Sequence, residues 1–182
     1  MTERLQVDIT YVEMHTAPAH APRGGPDGAA IRELQPPSVS FYRYLYNSVG
    51  RPWLWYERRL LEDDALAAII KHPQVVIDVL FVHNNPAGFC EFDLRRWPEL
   101  EIAYFGLMPD FIGQGLGPYF LDACIRAGWA RGPRRLWLHT CTLDHPKALR
   151  TYLNAGFAAY RTETVHIVDP RTNGVMARGG LP

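Results

Sequence analysis

Apolar and polar positions switch between a period of two and one near 3.6 along the chain. Residues 5–11 alternate, with Leu5, Val7, Ile9 and Tyr11 on one side, the pattern of a half-buried strand. Residues 16–30 break every pattern. Pro18, Pro22, Pro26, Gly24, Gly25 and Gly28 are too many for a helix or an inner strand, so a loop is predicted inside a loop-rich segment 13–37. Residues 39–47 and 62–72 suit helices. The second carries Glu62, Asp63 and Asp64 in its first turn and Lys71 and His72 in its last, which matches the helix dipole, and Pro73 stops it. Residues 75–83 and 87–94 are β-rich runs separated by Asn84, Asn85 and Pro86, a hairpin signal, and residues 99–108 follow as a third strand antiparallel to its neighbour.

Pro118 opens a predicted helix reaching about residue 131, with Phe120, Leu121, Cys124, Ile125 and Trp129 on one face, and Gly132 and Pro133 end it. Residues 135–140 form another strand, so a strand–helix–strand crossover must join two parallel strands with a right-handed connection. Asp144 is placed to cap a further helix that turns Ala148, Leu149, Tyr152 and Leu153 inward and closes at Gly156. Residues 157–167 are predicted as a last strand or hairpin, and the chain from Asp169 onward as a loose tail.

A chain of 182 residues, 47% hydrophobic and 21% charged, has the size of one domain with a sizeable core. Its 19 basic and 19 acidic side chains cancel, so it lacks the basic surface that a phosphate backbone requires, and nucleic acid is not an expected partner. No apolar run approaches the roughly 20 residues that span a bilayer, and the first residues carry no signal-peptide core, so no membrane partner and a cytoplasmic location are expected. Cys90, Cys124 and Cys141 lack framework spacing and are expected as reduced thiols. His139, Cys141, Asp144 and His145 could in principle ligate zinc, but strand alternation and a helix cap explain them, and no metal is predicted.

The most informative stretch runs from Leu107 to Tyr119, because it places Gly113, Gly115 and Gly117 between a strand end and a helix start. Glycines there permit positive φ and close approach, so successive main-chain N–H groups can face an anion while the helix dipole adds positive charge. Pro118 fits the first helical turn, where its missing N–H costs nothing. The dinucleotide fingerprint fails because Phe120 stands where its third glycine should be, and no Gly-Lys-Ser/Thr follows for a nucleotide triphosphate loop.

Residues Ile112 to Gly117 resemble the Gln/Arg-x-x-Gly-x-Gly/Ala motif of the GNAT superfamily of N-acetyltransferases, with Ile112 replacing the first residue. A second family pattern, Asn-x-x-Ala-x-x-Leu-Tyr-x-x-x-Gly-Phe, is matched by Ala148, Tyr152, Gly156 and Phe157, with His145 and Thr151 as substitutions. The two motifs cover roughly residues 75–165. The resemblance implies an α/β fold with a mixed, partly splayed central sheet and helices on both faces, in a single domain with a core at about 38–167 and a loose tail over 168–182. It implies acetyl-CoA as co-substrate. The pyrophosphate would lie over Gly113, Gln114, Gly115, Leu116, Gly117 and Pro118, with His145 close by, and the pantetheine arm along Phe105, Gly106 and Leu107.

The implied reaction is direct acetyl transfer to a primary amine of a small molecule or peptide, in a ternary complex. An amine with a pKa near ~10 is almost wholly ammonium at neutral pH and cannot attack a thioester until it loses a proton. The family position of the catalytic glutamate falls on Glu101, acting directly or through water, with Glu91 and Asp93 in reserve. Tyr152 occupies the family position of the general acid that protonates the leaving thiolate. A main-chain N–H over residues 105–108 could stabilise charge developing on the carbonyl oxygen. Trp53, Trp55 and Tyr56 could wall the acceptor pocket, and Arg134 and Arg135 could approach the coenzyme's ribose phosphate. A non-catalytic acyl-CoA sensor, an enzyme for another acyl group or acceptor, and self-association into a homodimer stay open.

Overall fold

The computed structural model describes residues 3–177. Seven strands form one sheet: β1 (Arg4–Met14), β2 (Ala29–Glu33), β3 (Val75–Val82), β4 (Asn85–Asp93), β5 (Glu99–Leu107), β6 (Arg135–Cys141) and β7 (Ala158–Val168). Their order is β2-β3-β4-β5-β6-β1-β7, and every pairing is antiparallel except β5 with β6. That parallel pair is the predicted crossover, bridged by α3 (Leu116–Trp129). The other helices are α1 (Val39–Gly50), α2 (Asp63–Ile70) and the short α4 (Ala148–Asn154).

Side chains alternate across the strands and so build two cores. On one face Phe120, Leu121, Cys124 and Ile125 of α3 pack with Cys90, Phe92, Leu100, Ile102, Leu136 and Leu138. On the other, Tyr42, Leu45, Tyr46 and Val49 of α1 and Leu66 and Ile70 of α2 cover Ile77, Val79 and Phe89. Helices therefore lie on both faces of the sheet, as expected.

The sheet divides in its middle. β5 pairs with β6 only from Glu99 to Glu101, opposite Arg135 to Trp137. Beyond that point the register of β5 against β4 jumps from Ile102 to Tyr104, leaving Ala103 as a bulged residue. The bulge bends β5 away from β6, and the strands part like the arms of a V.

Several local expectations are corrected. Part of the predicted loop is β2, which adds to the edge of β3 and has only Ile31 as a large apolar side chain. The loop residues before it strap onto α3: the Arg23 N–H donates to Asp122, and Arg126 donates to the His20 carbonyl. The hairpin turn is His83-Asn84, both with positive φ, rather than residues 84–86, so Pro86 lies inside β4. Asp144 does not cap α4, whose N-cap is Lys147; its carboxylate instead accepts from Thr140 Oγ1 and the Cys141 N–H, closing the turn after β6. Leu153 faces outward rather than inward. The tail is docked as far as residue 177, with Asp169 and Val175 buried; residues 178–182 lie outside the described residues.

Candidate active site

The parted strands enclose a cleft of about 390 Å³. Its walls come from three directions: Ala103 to Leu107 on β5; Gly113, Gly115, Gly117 and Pro118 in the turn before α3; and His139, Cys141, Asp144, His145 and Tyr152 on and after β6. Val49, Trp53, Trp55 and Glu57 from the α1–α2 region close the remaining side.

The glycine turn meets the requirements of an anion cradle. Gly113 and Gly115 have φ of 85° and 78°, which side-chain-bearing residues seldom adopt, and no atom lies within 4 Å of where a Cβ would stand on either. None of the N–H groups of Gly113, Gln114, Gly115 or Leu116 is used in a turn or cap among the described residues. They are the unpaired donors that precede a helix's first internal bond. Gln114 turns its side chain back to the Asp110 carbonyl, and Leu116 is buried in the α3 core, so either could serve an anion only through its main chain.

The arm of β5 beside the cleft offers a free edge. The Met108 N–H donates to Ala87 on β4, so by alternation the main chain of Phe105 and Leu107 faces the other way, where β6 no longer pairs. An extended ligand arm with its own amides could add there like another strand. The residues present thus fit an acyl-CoA, with diphosphate at the turn and amide-bearing arm along β5.

Of the residues singled out from sequence, Phe105, Gly106, Leu107, Gly113, Gly115, Gly117, Pro118, His145, Tyr152, Trp53 and Trp55 converge on the cleft, and Tyr56 does not line it. Tyr152 stands between Phe105 and Phe157, and burial pushes its phenol well above the ordinary value, so it keeps its proton. Arg134 and Arg135 lie at the opposite end of β6 from the glycine turn; Arg135 is held by Glu13 and Glu99.

Glu101 does not line the cleft but stands just behind it, at the last paired position of β5. Burial, aided by Asp93 and opposed by Arg96, pushes its carboxyl up to about 7. Glu91 is fully buried, accepting from Tyr42 Oη and Arg58 Nη2 at 2.5 Å each, and it fastens the α1–α2 region to the sheet. Asp93 is taken by Arg95 at 2.6 Å. Neither reserve carboxylate reaches the cleft.

Sequence reasoning missed Glu57, Tyr104 and His139 as site residues. Glu57 accepts from Tyr46 Oη at 3.2 Å, and Tyr104 packs against Trp55 with ring centres 5.2 Å apart. Trp55 reaches across the cleft to donate from Nε1 to Asp144 at 3.2 Å. Strand alternation could have put His139 on the same face as Glu101, but Tyr104 joins that face only through the bulge at Ala103, which was not visible in the sequence. Among the described residues no group of three or more His, Cys, Asp or Glu is placed to hold a metal ion, and no helix is long and apolar enough to cross a membrane.

No curated protein matches the chain. Solved structures do. A GCN5-related N-acetyltransferase from Sphaerobacter thermophilus aligns with a TM-score of 0.66 at 16% identity, over 91% of this chain and 51% of that one. Another from Kribbella flavida aligns at 0.58 and 18% identity, over 90% and 58%. An aminoglycoside acetyltransferase from an uncultured soil metagenomic sample aligns at 0.62 and 14% identity, over 78% and 95%. The chain thus spans about half of the first of these proteins, and at such identities the likeness is one of fold. The sequence itself decides the matter: residues 31–157 match the acetyltransferase (GNAT) family, and the chain belongs to it.

Proposed function

We propose that the protein transfers the acetyl group of acetyl-CoA to a primary amine of a small molecule or peptide, directly and within a ternary complex. The observation that carries this reading is the juxtaposition of two unsatisfied main-chain surfaces, the Gly113–Gly115 cradle and the free edge at Phe105 and Leu107, on one cleft. When bound, acetyl-CoA supplies a thioester carbonyl open to attack. Gly113, Gln114, Gly115, Leu116 and Gly117 hold the diphosphate through main-chain N–H groups, with Pro118 starting the helix whose dipole points at it, and His145 flanks it.

Glu101 promotes loss of the acceptor's ammonium proton, directly or through an intervening group. A carboxyl with a pKa of about 7 is poised near neutrality, where a base exchanges protons most effectively. The N–H of Phe105 or Leu107 donates to the carbonyl oxygen as charge develops there. Tyr152 gives the leaving sulfur its proton. Direct transfer is supported by Cys141, the thiol in the cleft: burial, helped by Asp144, pushes it up to about 11, so it stays protonated and a poor nucleophile at neutral pH. Aromatic walls from Trp53, Trp55 and Tyr104, with the Glu57 carboxylate among them, suit a cationic acceptor with an apolar body.

A panel of diverse amines with acetyl-CoA, read by release of free thiol, tests the proposal. Amine-dependent release supports it. Coenzyme binding without release from any amine would favour a sensor, and faster release from a longer acyl-CoA would change the donor.

A further inference from the structure

Six carboxylates on the strands face the acceptor side around the fork of β5 and β6, and five are matched by arginine. Arg135 takes Glu13 and Glu99, Arg58 takes Glu91, Arg95 takes Asp93, and Arg161 takes Glu163, which also accepts from Tyr11 Oη. The sixth is Glu101. Its only ion-pair partner among the described residues is His139, with Nδ1 3.7 Å from Oε1. His139 lines the cleft and Glu101 does not. The imidazole therefore stands between the half-buried carboxylate and the space in which an acceptor must sit.

We infer that His139 takes the acceptor's proton and that Glu101 acts through it as a positioning carboxylate. The inference rests on the acetyltransferase reading above and says which atom the proton reaches. With Nδ1 turned to Glu101, Nε2 is the ring nitrogen left for the cleft, and no described residue bonds to it. The separation of 3.7 Å is longer than a hydrogen bond, as catalytic contacts commonly are before substrate binds. The imidazole is held from its other side by Tyr11, ring centres 5.6 Å apart. Other charges near the couple are Glu163 and its partner Arg161 on β7, Asp93 and Glu91 on β4, and Arg96 and Arg58.

Proton bookkeeping closes. The ammonium loses one proton to His139 Nε2, which passes it to solvent. The free amine forms the N–C bond as the C–S bond breaks, Tyr152 protonates the leaving sulfur, and the second N–H proton restores the phenol. The net products are amide, thiol and one released proton.

The experiment compares wild type, His139→Ala, His139→Gln and Glu101→Gln in amine-dependent thiol release across pH 5.5–9, with coenzyme affinity measured by calorimetry. His139→Ala should lower kcat/KM by roughly 10²- to 10⁴-fold, the usual contribution of a general base, with coenzyme affinity unchanged, and added imidazole should restore part of the rate. His139→Gln should be as slow as the alanine variant. Glu101→Gln should be slowed less, in kcat rather than in acceptor KM, and added imidazole should not restore its rate because its own ring is still in place. If His139→Ala keeps the wild-type rate and pH limb, or imidazole fails to rescue a folded, coenzyme-binding variant, the inference is overturned while the acetyltransferase reading survives. If wild type itself releases no thiol with any amine, it is the reading that fails.

Discussion

The coenzyme wall and the acceptor wall of the cleft are made of different material. On one side the ligand-facing groups are main chain: N–H donors of the glycine turn and the free edge of β5. On the other they are side chains, namely Trp53, Trp55, Glu57, Tyr104 and His139, brought from a connection between helices and from two strands. A main-chain surface binds what is constant, a diphosphate and its amide arm. A side-chain surface can change its ligand by substitution while the scaffold stays as it is. Four variants test whether that division is real.

The largest effect is expected at Gly115. With φ at 78°, a β-branched residue there costs about 1–2 kcal/mol of backbone strain and displaces the donors beside it. Gly115→Val should weaken coenzyme binding about 100-fold or more, since donors to a charged group contribute about 1.5–3 kcal/mol each. Calorimetry with coenzyme A measures this, and an unchanged Kd would mean that the diphosphate is held elsewhere.

Next comes Tyr152→Phe, which keeps the ring between Phe105 and Phe157 and removes only the proton donor. A fall in kcat of roughly 10- to 30-fold is expected, below the usual range for a general acid because a thiolate needs little help to leave. The KM for acetyl-CoA should hold. A kcat equal to wild type would make the tyrosine a packing residue.

Trp55→Phe sharpens the comparison from the acceptor side. It deletes the N–H that reaches Asp144 but leaves that carboxylate its bonds to Thr140 and Cys141. The acceptor KM should rise about 3- to 10-fold, the scale of one typical net hydrogen bond, with coenzyme affinity unchanged. An equal loss on both substrates would show that the two walls are not independent.

The same division explains what could be read from the sequence. Gly113, Gly115 and Gly117 are closely spaced and chemically unusual, so the turn is visible as a local pattern. The strand–helix–strand crossover is visible because α3 and the strands beside it carry clean periodicities. The acceptor wall has no such signature. His139 looks like an ordinary alternating strand residue until the bulge at Ala103 opens a gap beside it. Asp144 looks like a helix cap because only the folded turn shows that its acceptors are used by Thr140 and Cys141. β2 was hidden for a related reason: its pairing is supplied by the exposed edge of β3, not by a pattern of its own.

The smallest effect concerns stability, and it tests whether the acceptor side stores a cost that the coenzyme side does not. Glu101 has a folded-state pKa of about 7, raised from an ordinary 4.5, with burial the leading cause. The folded protein therefore holds a proton there that the unfolded chain gives up, over the window between those two values. Its contribution to stability is full below pH 4.5 and is lost as pH rises to 7, because above that the fold must keep a charged carboxylate in a poorly hydrated place. Glutamine carries no charge to lose. Glu101→Gln should match wild type in stability near pH 4.5 and exceed it increasingly towards pH 8. The upper bound is about 3 kcal/mol at 1.36 kcal/mol per pKa unit, and relaxation around the site should reduce it to on the order of 1 kcal/mol. Urea unfolding at pH 5 and pH 8 measures the difference between the two proteins at each pH. A gap that does not widen with pH would mean that Glu101 is ordinarily hydrated, and its place behind His139 would then have no electrostatic consequence.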